Sequence, residues 1–103
     1  MNNKILSLLG FASKAKKLSF GFAASKEAII KNKSRLIVIS SDISDKSRKE
    51  IRFTAEKNGI KIIELKCTDQ IKLSNAVGRS CGIVSVNDSS FAFAIAEEYG
   101  RKC

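Results

Sequence analysis

Hydrophobic positions recur along the chain at two spacings, and together they predict helices that alternate with strands. Ile5, Leu9 and Ala12 follow one another at the three- and four-residue steps of a single helix face. The segment 36–39, Leu-Ile-Val-Ile, is an unbroken apolar run, which is typical of a central strand covered on both faces. The first segment is therefore predicted to be an amphipathic helix and the second a buried strand.

Turn and capping residues divide the rest of the chain into further elements. The predicted helices run from Asn2 or Asn3 to about Ala15, from Ala23 to Asn32, from a cap at Ser44 to Asn58-Gly59, from Thr68 or Asp69 to Gly78, and from a cap at Asp88 to Gly100. The predicted strands are Leu36–Ile39, Ile60–Leu65 and Ile83–Val86, with a short extended segment at Lys16–Phe20. Because the connections between strands are long enough for crossovers, the pairing is predicted to be parallel or mixed.

The predicted fold class is a three-layer α/β/α sandwich around a small mixed sheet of three or four strands. The chain has 103 residues and no proline, repeat or low-complexity segment, so we expect one domain over residues 1–103. Neither a membrane-spanning run nor a signal peptide is indicated, and a cytoplasmic location is expected.

The charge of the chain is positive and unevenly distributed. There are 19 Lys and Arg residues against 10 Asp and Glu residues, which gives a formal net charge of +9. Residues 1–35 contain eight of the basic residues and one acidic residue, whereas residues 36–103 contain eleven and nine. A local concentration of positive charge attracts polyanions. Nucleic acid is therefore the first candidate partner, and an anionic membrane surface is the second. The alternative is a basic protein that its charge keeps soluble.

Catalytic chemistry is not indicated by the residues that the chain offers. It has no His, so a general base or a zinc site would lack the residue that most often supplies it. Cys67, Cys81 and Cys103 form no CxxC pair and are interpreted as two semi-buried thiols and one terminal thiol in a reducing cytoplasm. Asp42 is predicted to cap or brace a loop, and residues 97–98, Glu-Glu, to lie on a solvated helix face. No cofactor and no metal are therefore predicted.

A basic cluster precedes the second predicted helix. Lys14, Lys16 and Lys17 are followed by Gly21, where a backbone can approach a ligand closely. The free N–H groups and the dipole of a helix N-terminus attract phosphate, and Phe22 is placed to stack on an unpaired base. The alternative interpretation of these last two residues is a turn glycine and a core aromatic side chain.

A second candidate loop is the segment 78–82, Gly-Arg-Ser-Cys-Gly, before the last predicted strand. Consecutive loops of an α/β fold gather at one end of the sheet, so this loop is expected to add an apolar and basic surface beside the first. The alternative is a plain helix C-cap and connection.

Three segments resemble the kink-turn RNA-binding ribosomal proteins. They are residues 8–21 (LLGFASKAKKLSFG), 35–42 (RLIVISSD) and 77–86 (VGRSCGIVSV), in the order that the family has them. The family comprises the ribosomal proteins seven-Ae and thirty-e of archaea and eukaryotes and their small bacterial paralogues, and the bacterial subgroup is the most similar. The resemblance implies an α/β/α sandwich without catalytic activity that binds a structured, sharply bent RNA.

The resemblance also implies site residues. In the family, the loop into the second helix carries Gly-x-Asn-Glu, whose polar side chains read sheared G·A pairs. Gly21 matches the glycine, but Ala23 and Ala24 stand at the Asn and Glu positions. Lys26 is a displaced substitute for a family lysine that aligns with Glu27. The implied RNA-binding residues are Gly21, Phe22, Lys26, Val77, Gly78, Arg79 and Ser80, and the electrostatic argument adds Lys14, Lys16 and Lys17.

The predicted function is non-enzymatic binding of structured RNA, ribosomal or containing a kink-turn, by a cytoplasmic monomer. One alternative is a ribosome-associated protein-interaction module in which Ala23 and Ala24 have removed the RNA readout. An enzyme acting on nucleotides or RNA is the third candidate, because the sequence offers no base, metal cluster or phosphate-binding loop. Neither a membrane nor a metal is predicted as a partner.

Overall fold

The computed structural model describes residues 3–66 and 68–102, in which helices and strands alternate. In chain order the elements are α1 (Asn3–Lys14), β1 (Leu18–Phe20), α2 (Phe22–Ile30), β2 (Leu36–Ser40), α3 (Asp45–Lys57), β3 (Ile62–Leu65), α4 (Gln70–Val77), β4 (Ile83–Val86) and α5 (Ser89–Lys102). The predicted α/β/α sandwich with a mixed sheet is confirmed, and the sheet has four strands. The predicted cap at Asn2 lies outside the described residues, as do Cys67 and Cys103.

β4 lies inside the sheet and is antiparallel to both of its neighbours. The strand order is β1-β4-β2-β3, and β2 and β3 are parallel. Phe20, at the carboxyl end of β1, is paired with Val84, and Ile39, near the carboxyl end of β2, is paired with Ile83. Three strands therefore finish at the end of the sheet where β4 begins.

The two ends of the sheet carry different connections. At the front end, β1, β2 and β3 finish and β4 begins, so Gly21 and Gly82 lie there. At the back end, β1, β2 and β3 begin and β4 finishes, so Lys17, Arg35 and Lys61 lie there. The loop before α2 and the loop before β4 therefore lie at the same end of the sheet, as expected from the sequence.

β2 separates two hydrophobic cores. All five of its residues are buried, and alternate residues belong to opposite faces. Leu36 and Val38 pack in one core with side chains of α1, α4 and α5, whereas Ile37 and Ile39 pack in the other with side chains of α2 and α3. Burial of each such side chain contributes roughly 1.5–3 kcal/mol. The prediction of a central strand covered on both faces is confirmed.

The predicted helix caps are formed as the sequence indicates. Ser44 Oγ accepts the N–H of the third residue along at 3.1 Å, Asp69 Oδ1 does so at 2.9 Å, and Asp88 Oδ2 at 3.0 Å. Gly78 ends α4 in the left-handed conformation with φ 79°, which an L side chain rarely adopts. None of the five described helices has the length and apolar character needed to span a bilayer.

Several boundaries differ from the prediction by one or two residues, with α2 for example ending at Ile30 rather than Asn32, and two of the differences have a clear local cause. β3 begins at Ile62 rather than Ile60, because the Ile60 N–H completes the end of α3 by donating to the Ala55 carbonyl at 2.8 Å. α5 continues through Gly100, since a glycine inside a helix costs only about 1 kcal/mol relative to alanine and no proline follows it.

The prediction of a solvated face at residues 97–98 is wrong for Glu98. This side chain shares a helix face with Ile95, three residues earlier, and that face packs on α1. Glu98 is 6% exposed, and its Oε1 lies 4.0 Å from Lys4 Nζ. The lysine of α1 thus supplies a positive charge beside the buried carboxylate.

Candidate nucleic-acid interface

Gly21 forms the junction between β1 and α2 at the front end. Its N–H donates to the Ile83 carbonyl at 2.8 Å, and its own carbonyl accepts the Ser25 N–H at 3.0 Å. The φ of 90° favours glycine, whereas a Cβ built there meets none of the described atoms within 4 Å. Within the described residues no side chain caps α2, so the N–H groups of Phe22, Ala23 and Ala24, which have no intrahelical partner, are not bound by a capping side chain either.

The first turn of α2 offers an aromatic ring, methyl groups and a cation. Lys26 Nζ lies 5.9 Å from the centroid of the Phe22 ring. Ala23 is exposed and Ala24 is half-buried. A cavity of about 420 Å³ is lined by Phe22, Ala23, Lys26, Glu27, Ile30 and Lys31. This surface suits stacking and phosphate attraction more than hydrogen bonding to base edges.

The loop after α4 has a fixed backbone and exposed tips. The Val77 carbonyl accepts a hydrogen bond from Ser13 Oγ at 2.7 Å, and the Gly78 N–H donates to the Ser74 carbonyl at 2.8 Å. Ser74 Oγ also accepts the Cys81 N–H at 2.9 Å and donates to the Cys81 carbonyl at 3.1 Å. Val77 is buried, while residues 78–80 are exposed.

Arg79 brings this loop into contact with the end of β1. Its guanidinium carbon lies 4.8 Å from the centroid of the Phe20 ring, and Phe20 directly precedes Gly21. We refer to residues 21–26 as the Gly21 segment and to residues 77–80 as the Arg79 loop. The structure therefore brings the seven residues implied by the resemblance together at the front end. Their role in RNA binding stays a prediction.

Phe20 was not identified as a site residue from the sequence. There it was only the last residue of a short extended segment, and its partner Arg79 is far along the chain. The one available signal was its position next to Gly21.

Lys17 lies away from this surface, whereas the end of α1 that carries Lys14 contacts the Arg79 loop through the bond between Ser13 and Val77. The Lys17 carbonyl accepts the Asn87 N–H at 2.8 Å, which places Lys17 at the back end. Gly21 lies four residues away across the whole of β1, a distance of about 13 Å along a strand. Lys14 ends α1, and Lys16 lies in the following turn with φ 60°. All three are exposed, and their role in RNA binding stays a prediction.

Asp42 and Cys81 have structural roles. Asp42 Oδ1 accepts the Gln70 N–H at 2.9 Å and the Ser40 hydroxyl at 3.1 Å, which confirms the predicted loop brace. Burial raises the pKa of the Cys81 thiol, and the nearby Arg79 guanidinium only partly offsets this effect. The thiol is therefore protonated at neutral pH. Across residues 3–66 and 68–102, no three Cys, Asp or Glu side chains are grouped as metal ligands.

Comparison with known sequences shows where the chain belongs. The sequence model of the Ribosomal protein L7Ae/L30e/S12e/Gadd45 family matches residues 3–93. The chain is a member of this family. The resemblance found in the sequence is thereby confirmed, and membership of a non-enzymatic RNA-binding family supports RNA binding in general by this L7Ae-family chain.

Solved structures agree with the fold of this L7Ae-family chain. A protein of unknown function from Bacillus halodurans is 26% identical, with 94% of this chain and 97% of that one covered and a TM-score of 0.88. The 15.5kD RNA binding protein of Giardia lamblia is 16% identical. The match covers 97% of this chain and 85% of that one, with a TM-score of 0.76. The second likeness shows the fold alone. No curated protein sequence matches the chain.

Proposed function

We propose that this L7Ae-family chain binds sharply bent RNA of the kink-turn type at the front end, through the Gly21 segment and the Arg79 loop. The contact between Arg79 and Phe20 carries the proposal. This contact joins two segments that are more than fifty residues apart into one surface of cations, aromatic rings and free helix N–H groups. Such a surface matches the phosphates and splayed bases of a bent RNA.

Each side chain has a distinct part in this binding. Lys26 and Arg79 supply positive charge for the RNA backbone, and the first N–H groups of α2 bind phosphate. Phe22 stacks on an unpaired base beside the Lys26 ammonium. Gly21 lets the RNA backbone approach because no Cβ projects from it.

Ala23 and Ala24 limit how sharply the RNA is selected. A bidentate contact to a base edge is worth about 1–3 kcal/mol of discrimination, by analogy with DNA readout, and a methyl group cannot make one. Recognition therefore rests on RNA shape, stacking and charge. We expect a preference for the bent RNA that is smaller than polar side chains at these two positions would give.

The experiment compares two RNAs that differ only in their bend. Fluorescence anisotropy is measured with a labelled kink-turn stem and with the same stem without its bulge. Arg79→Ala removes the cation and its contact with Phe20, whereas Lys57→Ala removes an exposed charge at the far end of α3 and serves as the control. Arg79→Lys keeps the charge but loses the planar guanidinium.

The expected result is tighter binding to the kink-turn stem, weakened by Arg79→Ala, partly retained by Arg79→Lys and unaffected by Lys57→Ala. Equal affinity for both RNAs would contradict kink-turn binding. Loss of affinity in both Ala variants alike would show a general charge effect.

One observation favours the alternative, a protein-interaction module. The cavity beside α2 is walled by Phe22, Ala23 and the exposed Ile30, an apolar composition that also suits a protein partner. If neither RNA binds measurably, this alternative takes the place of the RNA proposal.

A further inference from the structure

Positive charge is concentrated at the back end, away from the proposed kink-turn site. The Arg35 N–H donates to the Val86 carbonyl at 2.8 Å, and the Ile37 N–H donates to the Lys61 carbonyl at 2.9 Å. With the bond between Lys17 and Asn87, these contacts align Lys17, Arg35 and Lys61 across the four strands. At about 4.8 Å per strand the row spans roughly 14 Å.

The side chains of this row are exposed, and Lys16 extends it into the turn before β1. Two of the eight basic residues of segment 1–35, Lys17 and Arg35, therefore lie at the end of the sheet opposite Gly21. Asp88, which follows β4, carries a negative charge at this end, but its Oδ2 is bound to the Phe91 N–H as the cap of α5. Because that carboxylate lies at the positive N-terminal end of the α5 dipole, its charge is mainly balanced by the helix rather than by the basic residues of the row.

An exposed aromatic ring lies next to two of these cations. Phe93 is 69% exposed, and it lines a shallow cavity of about 280 Å³ with Arg35 and Lys61. Arg35 Nη1 donates to the Asn32 carbonyl at 2.9 Å and to the Ser34 carbonyl at 3.1 Å, which fixes the guanidinium against the turn before β2. A ring for stacking beside cations for phosphate is the composition of single-strand binding sites.

We propose that this back surface, formed by Lys16, Lys17, Arg35, Lys61 and Phe93, is a second RNA-binding site that takes a single-stranded segment. One base stacks on Phe93 while the adjoining phosphates lie against Arg35 and Lys61. The polymer continues towards Lys17 and Lys16. Because the two surfaces lie at opposite ends of the sheet, one molecule can hold a bent stem and a single strand together. The inference shares its ligand class with the proposed function, but it stands on different residues.

The experiment uses two labelled probes and the full chain. Anisotropy is measured with a twelve-nucleotide oligouridylate and separately with the kink-turn stem. Phe93→Ala is compared with Phe11→Ala, which removes a ring that is 59% exposed on α1. The double variant Lys17→Ala/Lys61→Ala is compared with the control Lys72→Ala, which removes an exposed charge from α4.

Removing the Phe93 ring is expected to weaken oligouridylate binding by about fivefold to 150-fold, the range given by stacking of one base. Removing both lysines is expected to reduce the slope of log K against log salt by about 1.4, since each phosphate contact on a single strand contributes about 0.7. Both controls should match the wild type. Kink-turn stem binding should be unchanged in the back-surface variants and reduced in Arg79→Ala.

A bridging measurement separates this proposal from the proposed function. The kink-turn stem is immobilised on beads, and retention of labelled oligouridylate by the protein is counted. Phe93→Ala should lose the oligouridylate while it keeps the stem. No oligouridylate binding by the wild type, or binding that Phe93→Ala and Phe11→Ala reduce equally, would overturn the second site. Absence of stem binding with Phe93-dependent oligouridylate binding would overturn only the proposed function.

Discussion

Removal of the Ser74 hydroxyl is expected to destabilise the domain by loosening the Arg79 loop. Ser74 Oγ makes two hydrogen bonds to the backbone of Cys81, which is buried. A net hydrogen bond contributes about 1 kcal/mol, so Ser74→Ala should lower the free energy of unfolding by about 2 kcal/mol. In a domain of this size that corresponds to a fall in Tm of about 8–16 °C.

The measurement is thermal unfolding followed by circular dichroism, with Ser90→Ala as the matched control at an exposed position of α5. The same preparation is titrated with the kink-turn stem at a temperature at which it is fully folded. Weaker binding is expected, because the loop that carries Arg79 samples more conformations. A Tm within about 2 °C of both the control and the wild type would refute the reasoning.

Three further outcomes are expected. Gly82→Ala places a Cβ 2.8 Å from an Ile43 side-chain carbon and should lower the free energy of unfolding in urea by about 1–3 kcal/mol. Gly100→Ala, where a Cβ meets no described atom within 4 Å, should instead raise the free energy of unfolding by up to about 1 kcal/mol. With the other two cysteines changed to serine, Cys81 should react with iodoacetamide more slowly than a free cysteine at every pH near 8. The pKa of the Cys81 thiol is higher in the folded chain than in the unfolded chain. The stability that this difference contributes is therefore complete below the unfolded-state pKa and is lost as the pH rises through the folded-state pKa. The free energy of unfolding, measured at several pH values, checks this expectation. With Lys26 and Arg79 as the cations of the front-end site, affinity for the kink-turn stem should fall with a log–log salt slope of about −2, and a flat response would contradict the charge argument.

Local signals in the sequence were sufficient for the elements of the fold. The apolar run at 36–39 predicted a strand buried on both faces, and the structure buries all of it. Ser44, Asp69 and Asp88 predicted caps that are formed as hydrogen bonds. Such features depend on neighbours within a few positions, which periodicity and capping chemistry describe well.

Contacts between residues far apart in the chain could not be predicted from the sequence in the same way. Lys17 and Gly21 are four positions apart, yet a short strand carries them to opposite ends of the sheet. The contact of Phe20 with Arg79 and the burial of Glu98 against α1 both depend on which elements become neighbours. Helix and strand patterns do not contain that information, so charge clusters in the sequence were a poor guide to clusters in space.

The brevity of β1 has a consequence for local opening of the fold. This strand has three residues and lies at the margin of the sheet, where β4 is its one partner among the described strands, between Lys16 with φ 60° and Gly21 with φ 90°. Its amides should exchange with deuterium well before those of β2, which is enclosed by neighbours on both sides. An RNA held at Gly21 would then be detected as slowed exchange along β1 as far as Lys17.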